Sequence, residues 1–151
     1  SVLAALGIEK IREKISDYMY DQMKEGMLLL LDYGDVREEL YAPHRMNGTL
    51  MCYRKHKAHD DPYQFIGEQD ITSHVDFTAC MEAAECAGFV RMELHTQKQW
   101  LLDHNVLGLL QEHAEPDPFA PVVRRNRAIR QLLLSDSISE LFKVLSMVKT
   151  L

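Results

Sequence analysis

The chain has 151 residues, of which 46% are hydrophobic and 26% are charged. These values are typical of one globular domain with a sizeable core, and they exclude a disordered chain. The formal net charge is -6, so we expect neither nucleic acid nor an acidic membrane surface as a general partner. No stretch reaches the roughly 18 to 20 apolar residues of a transmembrane helix, so no membrane partner is expected.

The three cysteines are Cys52, Cys80 and Cys86, and no two of them have the spacing of a CxxC motif. An odd number of cysteines at these spacings predicts neither a disulfide framework nor a zinc knuckle. A reducing compartment is the simplest interpretation.

The first predicted elements are a helix over residues 4–24, ended by Gly26, and a strand over residues 27–31. Apolar residues recur every three or four positions in the helix. The strand is a short apolar run closed by Asp32, Tyr33 and Gly34. This pattern predicts a strand buried on both faces, as in the middle of a parallel sheet. Because ligands bind beyond the carboxyl ends of strands in open α/β sheets, we expect function at Asp32 and Tyr33 first.

The next part of the chain is mostly irregular. Residues 35–47 predict a loop with one helical turn at 36–40, residues 48–53 a short extended segment, and residues 54–61 a polar stretch. Residues 70–77 predict the start of a helix, with Thr72 or Ser73 as its cap. That helix carries an apolar stripe and ends at Gly88.

The last third alternates between strands and helices. Residues 89–95 alternate apolar and polar side chains, which predicts a strand. The remaining predictions are a helical run over 98–113 with a break at Gly108, a proline-rich loop over 115–121, a basic helix over 124–134, a turn over 135–140 and a strand over 141–146. The chain is therefore predicted to be α/β, with about three strands and flanking helices.

Histidines and acids concentrate between Asp32 and Asp76. This composition fits a catalytic or ligand-binding loop, and it equally fits a solvated surface loop. His56, His59, Asp60 and His74 do not follow the HExxH pattern or a cysteine-histidine zinc pattern, so we expect no metal. The arginines of the helix over 124–134 suit either an acidic partner or a solvated face.

The order of several short motifs is specific. They are Leu31-Asp-Tyr-Gly34, Gly48-Thr-Leu50, Tyr53, His56, Gly67-Glu-Gln-Asp-Ile-Thr72, His74-Val-Asp-Phe77, Thr96-Gln97 and Glu140-Leu-Phe-Lys-Val-Leu145. Together they resemble the MidA-like family of class I S-adenosylmethionine-dependent methyltransferases. That family includes the mitochondrial protein-arginine methyltransferase needed for assembly of respiratory complex I. The likeness extends from about Ile11 to Lys149, and it departs from the family pattern at Ser137-Ile-Ser-Glu140.

The resemblance implies that the chain is a single partial domain over residues 1–151. It would be the C-terminal half of a Rossmann-like methyltransferase sheet, with the glycine-rich cofactor loop upstream. S-adenosylmethionine is therefore expected to bind the intact protein and not this piece alone. The implied substrate is a protein, with arginine as the methyl acceptor. The implied location is the bacterial cytoplasm or the mitochondrial matrix.

An arginine acceptor needs carboxylates that orient its guanidinium and aromatic rings that stack on it. The predicted catalytic residues are accordingly Asp32, Tyr33, His74 and Asp76. The predicted substrate-binding residues are Tyr41, Arg45, Thr49, Gln69, Asp70 and Thr72. Structural alternatives compete with these roles, because Asp70 and Asp76 also suit a helix cap, Thr49 and Gln69 a loop tie, and His74 a satisfied buried imidazole. For Asp32 the position at the strand end favours function.

A second hypothesis belongs to another class of function. In it the chain is a non-catalytic interaction module, and an exposed sheet edge binds a partner or a second copy of the chain.

Overall fold

The computed structural model describes residues 18–135 and 140–151. The helices are α1 (Tyr20–Gln22), α2 (Arg37–Leu40), α3 (Phe77–Ala87), α4 (Gln97–Asp103) and α5 (Pro121–Leu134), with 3-10 turns at Pro43–Arg45 and Val106–Leu109. The strands are β1 (Gly26–Asp35), β2 (Met51–Arg54), β3 (Lys57–His59), β4 (Asp70–Thr72), β5 (Val75–Asp76), β6 (Val90–Thr96) and β7 (Phe142–Lys149). The predicted α/β class is confirmed.

The main sheet has four strands in the order β5-β1-β7-β6. β7 lies at its centre and is antiparallel to both β1 and β6. β1 pairs with β7 from Gly26 to Tyr33, and it is parallel to β5 only at Gly34 and Asp35. The three long strands are those that the sequence predicts, and β5 joins them at the carboxyl end of β1.

The prediction that β1 is buried on both faces in a parallel sheet is wrong. Side chains alternate between the two faces of a strand. Leu28 and Leu30 pack on the core, whereas Met27, Leu29 and Leu31 on the other face are 58%, 43% and 57% exposed. The apolar run is continuous because both faces of β1 carry leucine or methionine. Within the part of the chain that the structure describes, only the face with Leu28 and Leu30 is packed on the core.

The core lies between the sheet and α3. Its buried members are Phe77, Cys80, Ala84, Phe89, Leu145 and Met147. Asp76 caps α3, since its Oδ1 accepts a hydrogen bond of 2.9 Å from the Ala79 amide. Gly88 ends the helix in the left-handed conformation at φ 103°, as predicted. The predicted cap at Thr72 or Ser73 is wrong, because residues 70–72 form β4, residues 75–76 form β5, and the helix begins only at Phe77.

A second, smaller sheet has the order β3-β2-β4 and was not predicted. The hairpin between β2 and β3 turns at Lys55 and His56, whose φ values are 49° and 63°. Positive φ at both positions is the geometry of a type I′ turn, which usually contains glycine or asparagine. The polar stretch over 54–61 therefore gave no hairpin signal.

The remaining elements differ from their predictions mainly at their ends. The helical run over 98–113 breaks at Asn105, in the left-handed region at φ 57°, and not at Gly108. α5 begins at Pro121 and packs Ile129 and Leu133 on Val106. Most of the helix predicted over 4–24, and most of the turn over 135–140 with its departure from the family pattern, lie outside the described residues. Within the described ranges, no helix has the length and apolar character that crossing a membrane requires.

Candidate functional site

A cavity of about 500 Å³ opens beside the carboxyl end of β1, between the two sheets. It contains several of the predicted site residues together with residues of β2 and β7. The lining residues are Tyr33, Arg45, Gly48, Thr49, Leu50, Met51, Tyr53, Thr72, His74, Leu141 and Phe142. Tyr33, Arg45, Thr49, Thr72 and His74 were all predicted from the sequence, so the structure brings half of the predicted set to one place.

Three rings form one wall of this cavity. Tyr33 meets His74 edge to face, with ring centroids 5.5 Å apart, and it meets Phe142 in the same way at 5.8 Å. The antiparallel register places Tyr33 opposite Phe142, and the amide of Gly34 donates to the carbonyl of Leu141. The ring positions are therefore fixed by the pairing of β1 with β7.

Two threonines connect the loops around the cavity. Thr49 Oγ1 accepts a hydrogen bond of 3.1 Å from the His74 amide, and Thr72 Oγ1 donates to the Met51 carbonyl at 3.2 Å. Both contacts hold backbone segments, which is the structural role that the sequence left open for Thr49. Gly34 allows β1 and β5 to approach each other closely. Any other residue would place a Cβ 2.2 Å from the Val75 carbonyl oxygen.

Arg45 and His74 determine the charge of the cavity. Burial lowers the pKa of His74, and the positive charge of Arg45 lowers it further, whereas Asp35 acts in the opposite direction. His74 is therefore a neutral imidazole near pH 7, able to accept a hydrogen bond. The lining contains no carboxylate, and Arg45 is its permanent charge.

The lowered pKa of His74 predicts a change of stability with pH. The unfolded chain takes up a proton near the ordinary histidine pKa of about 6.5, before the folded chain does, so acidification favours unfolding. The stability that the neutral His74 side chain contributes is therefore complete above about pH 6.5. It is lost as the pH falls from there to the lower pKa that His74 has in the folded chain. We expect the urea midpoint to fall between pH 7 and 5 more steeply for the wild type than for His74→Gln. Equal slopes for the two proteins would contradict this assignment.

The two predicted catalytic aspartates lie on the other face of the sheet. Asp32 lies on the same face of β1 as Leu28 and Leu30, which pack on the core beside α3, and Asp76 caps α3. Burial raises the pKa of the Cys80 thiol to about 11, and the charges of Asp76 and Asp32 add to this effect. Asp76 is 8% exposed and is bonded to the Ala79 amide and to Arg37 Nε. Asp32 is exposed, and its Oδ1 accepts from the adjacent Tyr33 amide at 2.8 Å. Neither carboxylate lines the cavity, because Asp32 projects from the face of β1 opposite to that of Tyr33 and Asp76 on β5 caps α3.

The remaining predicted residues also lie outside the cavity lining. Tyr41 is 63% exposed after α2, and Asp70 is exposed on β4 opposite Tyr53. Gln69 donates to the Pro62 carbonyl at 3.0 Å, which is the loop tie that the sequence left open. Their binding roles remain predictions.

Several lining residues were not predicted as site residues. Phe142 and Leu141 come from the last strand, and only the long-range pairing with β1 brings them here. Tyr53 and Met51 project from the same face of β2, and the spacing of two between them is the signal that could have identified both.

Among residues 18–135 and 140–151, no group of three or more histidine, cysteine, aspartate or glutamate side chains is arranged to hold a metal ion. A second cavity of about 480 Å³ lies along α5, lined partly by His113, Arg127 and Arg130. It contains none of the predicted site residues.

Comparison with known proteins identifies the fold. Residues 5–94 match the family described as "Putative S-adenosyl-L-methionine-dependent methyltransferase". Two crystal structures from Burkholderia thailandensis are similar, each with a TM-score of 0.76. One is an uncharacterized superfamily protein, 32% identical over 94% of this chain. The other, described as a "likely methyl transferase" and bound to S-adenosyl-homocysteine, is 33% identical over 96% of this chain. No curated protein gives a significant match.

The chain spans 36% of the length of each of these two structures. The family match covers more than half of this chain, and the structural likeness covers nearly all of the chain. The chain belongs to the MidA-like family of S-adenosylmethionine-dependent methyltransferases.

Proposed function

We propose that this chain is the acceptor-binding part of a longer enzyme that transfers a methyl group from S-adenosylmethionine to an arginine of a protein. The observation that supports it most is the likeness to a solved structure that is bound to S-adenosyl-homocysteine. The substrate class is the one that the family resemblance implies, and the aromatic wall of the cavity supports it because such rings stack on a planar guanidinium.

The residues present do not fit the cofactor by themselves. The cavity lining contains no acid that would hold ribose hydroxyls. The sequence also contains no GxGxxG motif. We therefore assign no residue of this chain to the cofactor, and we place its binding elements in the longer protein.

The roles of the chain's own residues concern the acceptor. Tyr33, Tyr53 and Phe142 would stack on it and orient it, because stacking fixes the plane of a guanidinium. His74, neutral near pH 7, would accept a hydrogen bond from the acceptor nitrogen. Asp76 is bonded to Arg37 and Ala79, and Asp32 projects from the opposite face of β1, so neither carboxylate contacts an acceptor in this cavity.

Calorimetric titration with S-adenosylmethionine tests the proposal, on the longer protein and on residues 1–151 alone. We expect the longer protein to bind and the short chain to bind at least about a hundredfold more weakly, because positioning is lost. Mass spectrometry of protein substrates should then detect methylarginine, and Tyr53→Leu, which removes a ring from the cavity lining, should reduce its formation. Tyr63→Leu, at an exposed tyrosine outside the lining, is the matched control. Absence of binding by the longer protein, or methylation of residues other than arginine, would refute the proposal.

The second candidate, self-association through the sheet edge, has one observation in its favour. Within the described residues, β1 has no strand beside its Gly26–Tyr33 portion on the side opposite β7. The exposed Met27, Leu29 and Leu31 lie on the same strand. If the longer protein is monomeric in light scattering while residues 1–151 dimerise, the edge is normally covered by the rest of the enzyme.

A further inference from the structure

The cavity holds an arginine whose hydrogen bonds are incomplete. Arg45 ends the 3-10 turn Pro43–Arg45, and its side chain is 24% exposed. Its Nε is buried and has no hydrogen-bond partner within the described ranges. The nearest acid is Glu39, whose Oε1 is 3.7 Å away and also contacts His44 at 3.2 Å. Nε itself is closed to a ligand, so a ligand oxygen would meet the exposed quarter of the Arg45 side chain, which lines the cavity and has only the long contact with Glu39 as an ion pair.

The charge around Arg45 also selects the ligand. The lining has no carboxylate, and its other polar side chains are neutral hydroxyls and the His74 imidazole. An anionic group would therefore meet one permanent positive charge and no opposing negative charge inside the cavity. A carboxylate fits best, because it can pair with two guanidinium hydrogens at once.

A second positive surface begins next to the cavity. Tyr53 lines the cavity, and the hairpin tip Lys55, His56 and Lys57 follows it in the chain. β2 ends at Arg54, so Lys55 in the turn lies at most roughly 7 Å from Tyr53, the reach of two extended residues. All three side chains of this tip are exposed, and none has an ion pair among the described residues. Arg54 beside them is different, since it stacks on Phe65 and pairs with Glu68 at 2.7 Å.

Arg45, Lys55 and Lys57 outnumber the acids beside them, which are Glu39 next to Arg45 and Asp70 opposite Tyr53, on a chain whose net charge is -6. This local reversal suits an acidic partner, which the rest of the surface would repel. The spacing suits an extended peptide, in which the acceptor arginine and one acidic side chain share the cavity and a second acidic side chain reaches the tip.

We propose that Arg45 and the tip bind an acidic segment of the protein substrate, with one of its carboxylates seated on Arg45 in the cavity. The inference rests on the proposed function, because it assumes that the methyl acceptor is part of a protein. It adds a specificity rule, namely that the acceptor arginine lies in a segment rich in aspartate or glutamate.

The test compares two fluorescent peptides of equal length, each with a central arginine. In one peptide the alternate flanking residues are glutamate, and in the other they are glutamine. Fluorescence anisotropy measures their affinities for the longer protein. We expect the glutamate peptide to bind about tenfold more tightly at low salt, and we expect this preference to shrink as salt is added.

Two sets of variants assign the preference to these residues. Arg45→Met should abolish most of the preference for the glutamate peptide. Arg45→Lys should retain part of this preference, because lysine keeps the positive charge but lacks the planar guanidinium that pairs with both carboxylate oxygens. Lys55→Gln with Lys57→Gln should reduce it about threefold by losing the exposed charges of the tip. These two lysines are exposed, so their variant keeps the test valid if Arg45→Met does not fold.

Equal affinity for the two peptides, absence of binding by both, or a preference that both variants leave unchanged would overturn the inference. The readout is binding and not turnover. An Arg45-dependent preference in a protein that fails to bind S-adenosylmethionine would therefore refute the proposed function and leave the acidic site standing.

Discussion

Gly34→Ala is expected to destabilise the protein by about 3 kcal/mol and to open the cavity. The added Cβ would lie 2.2 Å from the Val75 carbonyl oxygen, 2.7 Å from its nitrogen and 2.9 Å from its carbonyl carbon. These are backbone atoms, so no side chain can rotate away to relieve the overlap. β1 and β5 would have to separate, and Tyr33 would lose its edge-to-face contact with His74.

Gly48→Ala is the matched control for this prediction. Gly48 lines the same cavity and has a φ of +74°, but a Cβ there would meet nothing within 4 Å. Its substitution should cost only about 1 kcal/mol, the ordinary penalty of a left-handed alanine. Urea unfolding of both variants separates the two causes. If Gly34→Ala costs no more than Gly48→Ala, the close approach of β1 and β5 is not present in solution.

The main sheet could be predicted because its strands have local signals. β1 is an apolar run between two glycines, β6 alternates apolar and polar residues, and the core helix α3 ends at a left-handed glycine. The exposure of one face of β1 could not be predicted, because a strand with leucine on both faces is typical of a strand that is buried on both faces. Only the pairing with β7, from the other end of the chain, shows which face is covered.

The small sheet β3-β2-β4 had no such signal. Its outer strands have only three residues each, and they contain charged side chains where strand formers are usual. Lys55 and His56 occupy a turn that normally shows Asn-Gly in the sequence. Residues of this sheet form part of the cavity. Because the sheet was not predicted, the sequence indicated separate site residues and not a pocket that contains them.

The structure brings together the predicted residues of converging segments and separates those on opposite faces of a strand, while the roles of all of them stay predictions. Arg45, Thr49, Thr72 and His74 lie in a region rich in polar residues, which sequence composition can identify. Asp32 adjoins Tyr33 in the chain, yet the two project to opposite faces of β1. Contacts such as Tyr33 with Phe142 depend on register and cannot be read from either residue alone.

Asp76→Ala is expected to lower the free energy of unfolding by about 2 to 3 kcal/mol, because Asp76 stabilises the fold in two ways. Its Oδ1 caps α3 through the Ala79 amide, and its Oδ2 accepts from Arg37 Nε at 3.3 Å. Arg37 in turn pairs with both oxygens of Glu82, and its amide donates to Thr78 Oγ1. The carboxylate thus joins the segment after β1 to the first turn of α3.

Asp76→Asn separates these contributions. An amide oxygen can still accept from Ala79, so the cap is kept and only the charge opposite Arg37 is lost. We expect about half of the alanine effect, since Arg37 is 42% exposed and solvent weakens its ion pairs. Glu82→Gln, at a half-exposed partner of the same arginine, should cost less than about 1 kcal/mol.

The same variants decide between the structural and the catalytic role of Asp76. A structural role predicts that methyl transfer by Asp76→Asn, assayed well below its unfolding midpoint, stays within a few-fold of the wild type, because the carboxylate faces α3 and not the cavity. A catalytic carboxylate predicts the opposite result, with stability near that of the wild type and transfer reduced about a hundredfold or more. Unfolding in urea and a single-turnover assay on the longer protein are therefore sufficient to assign this residue.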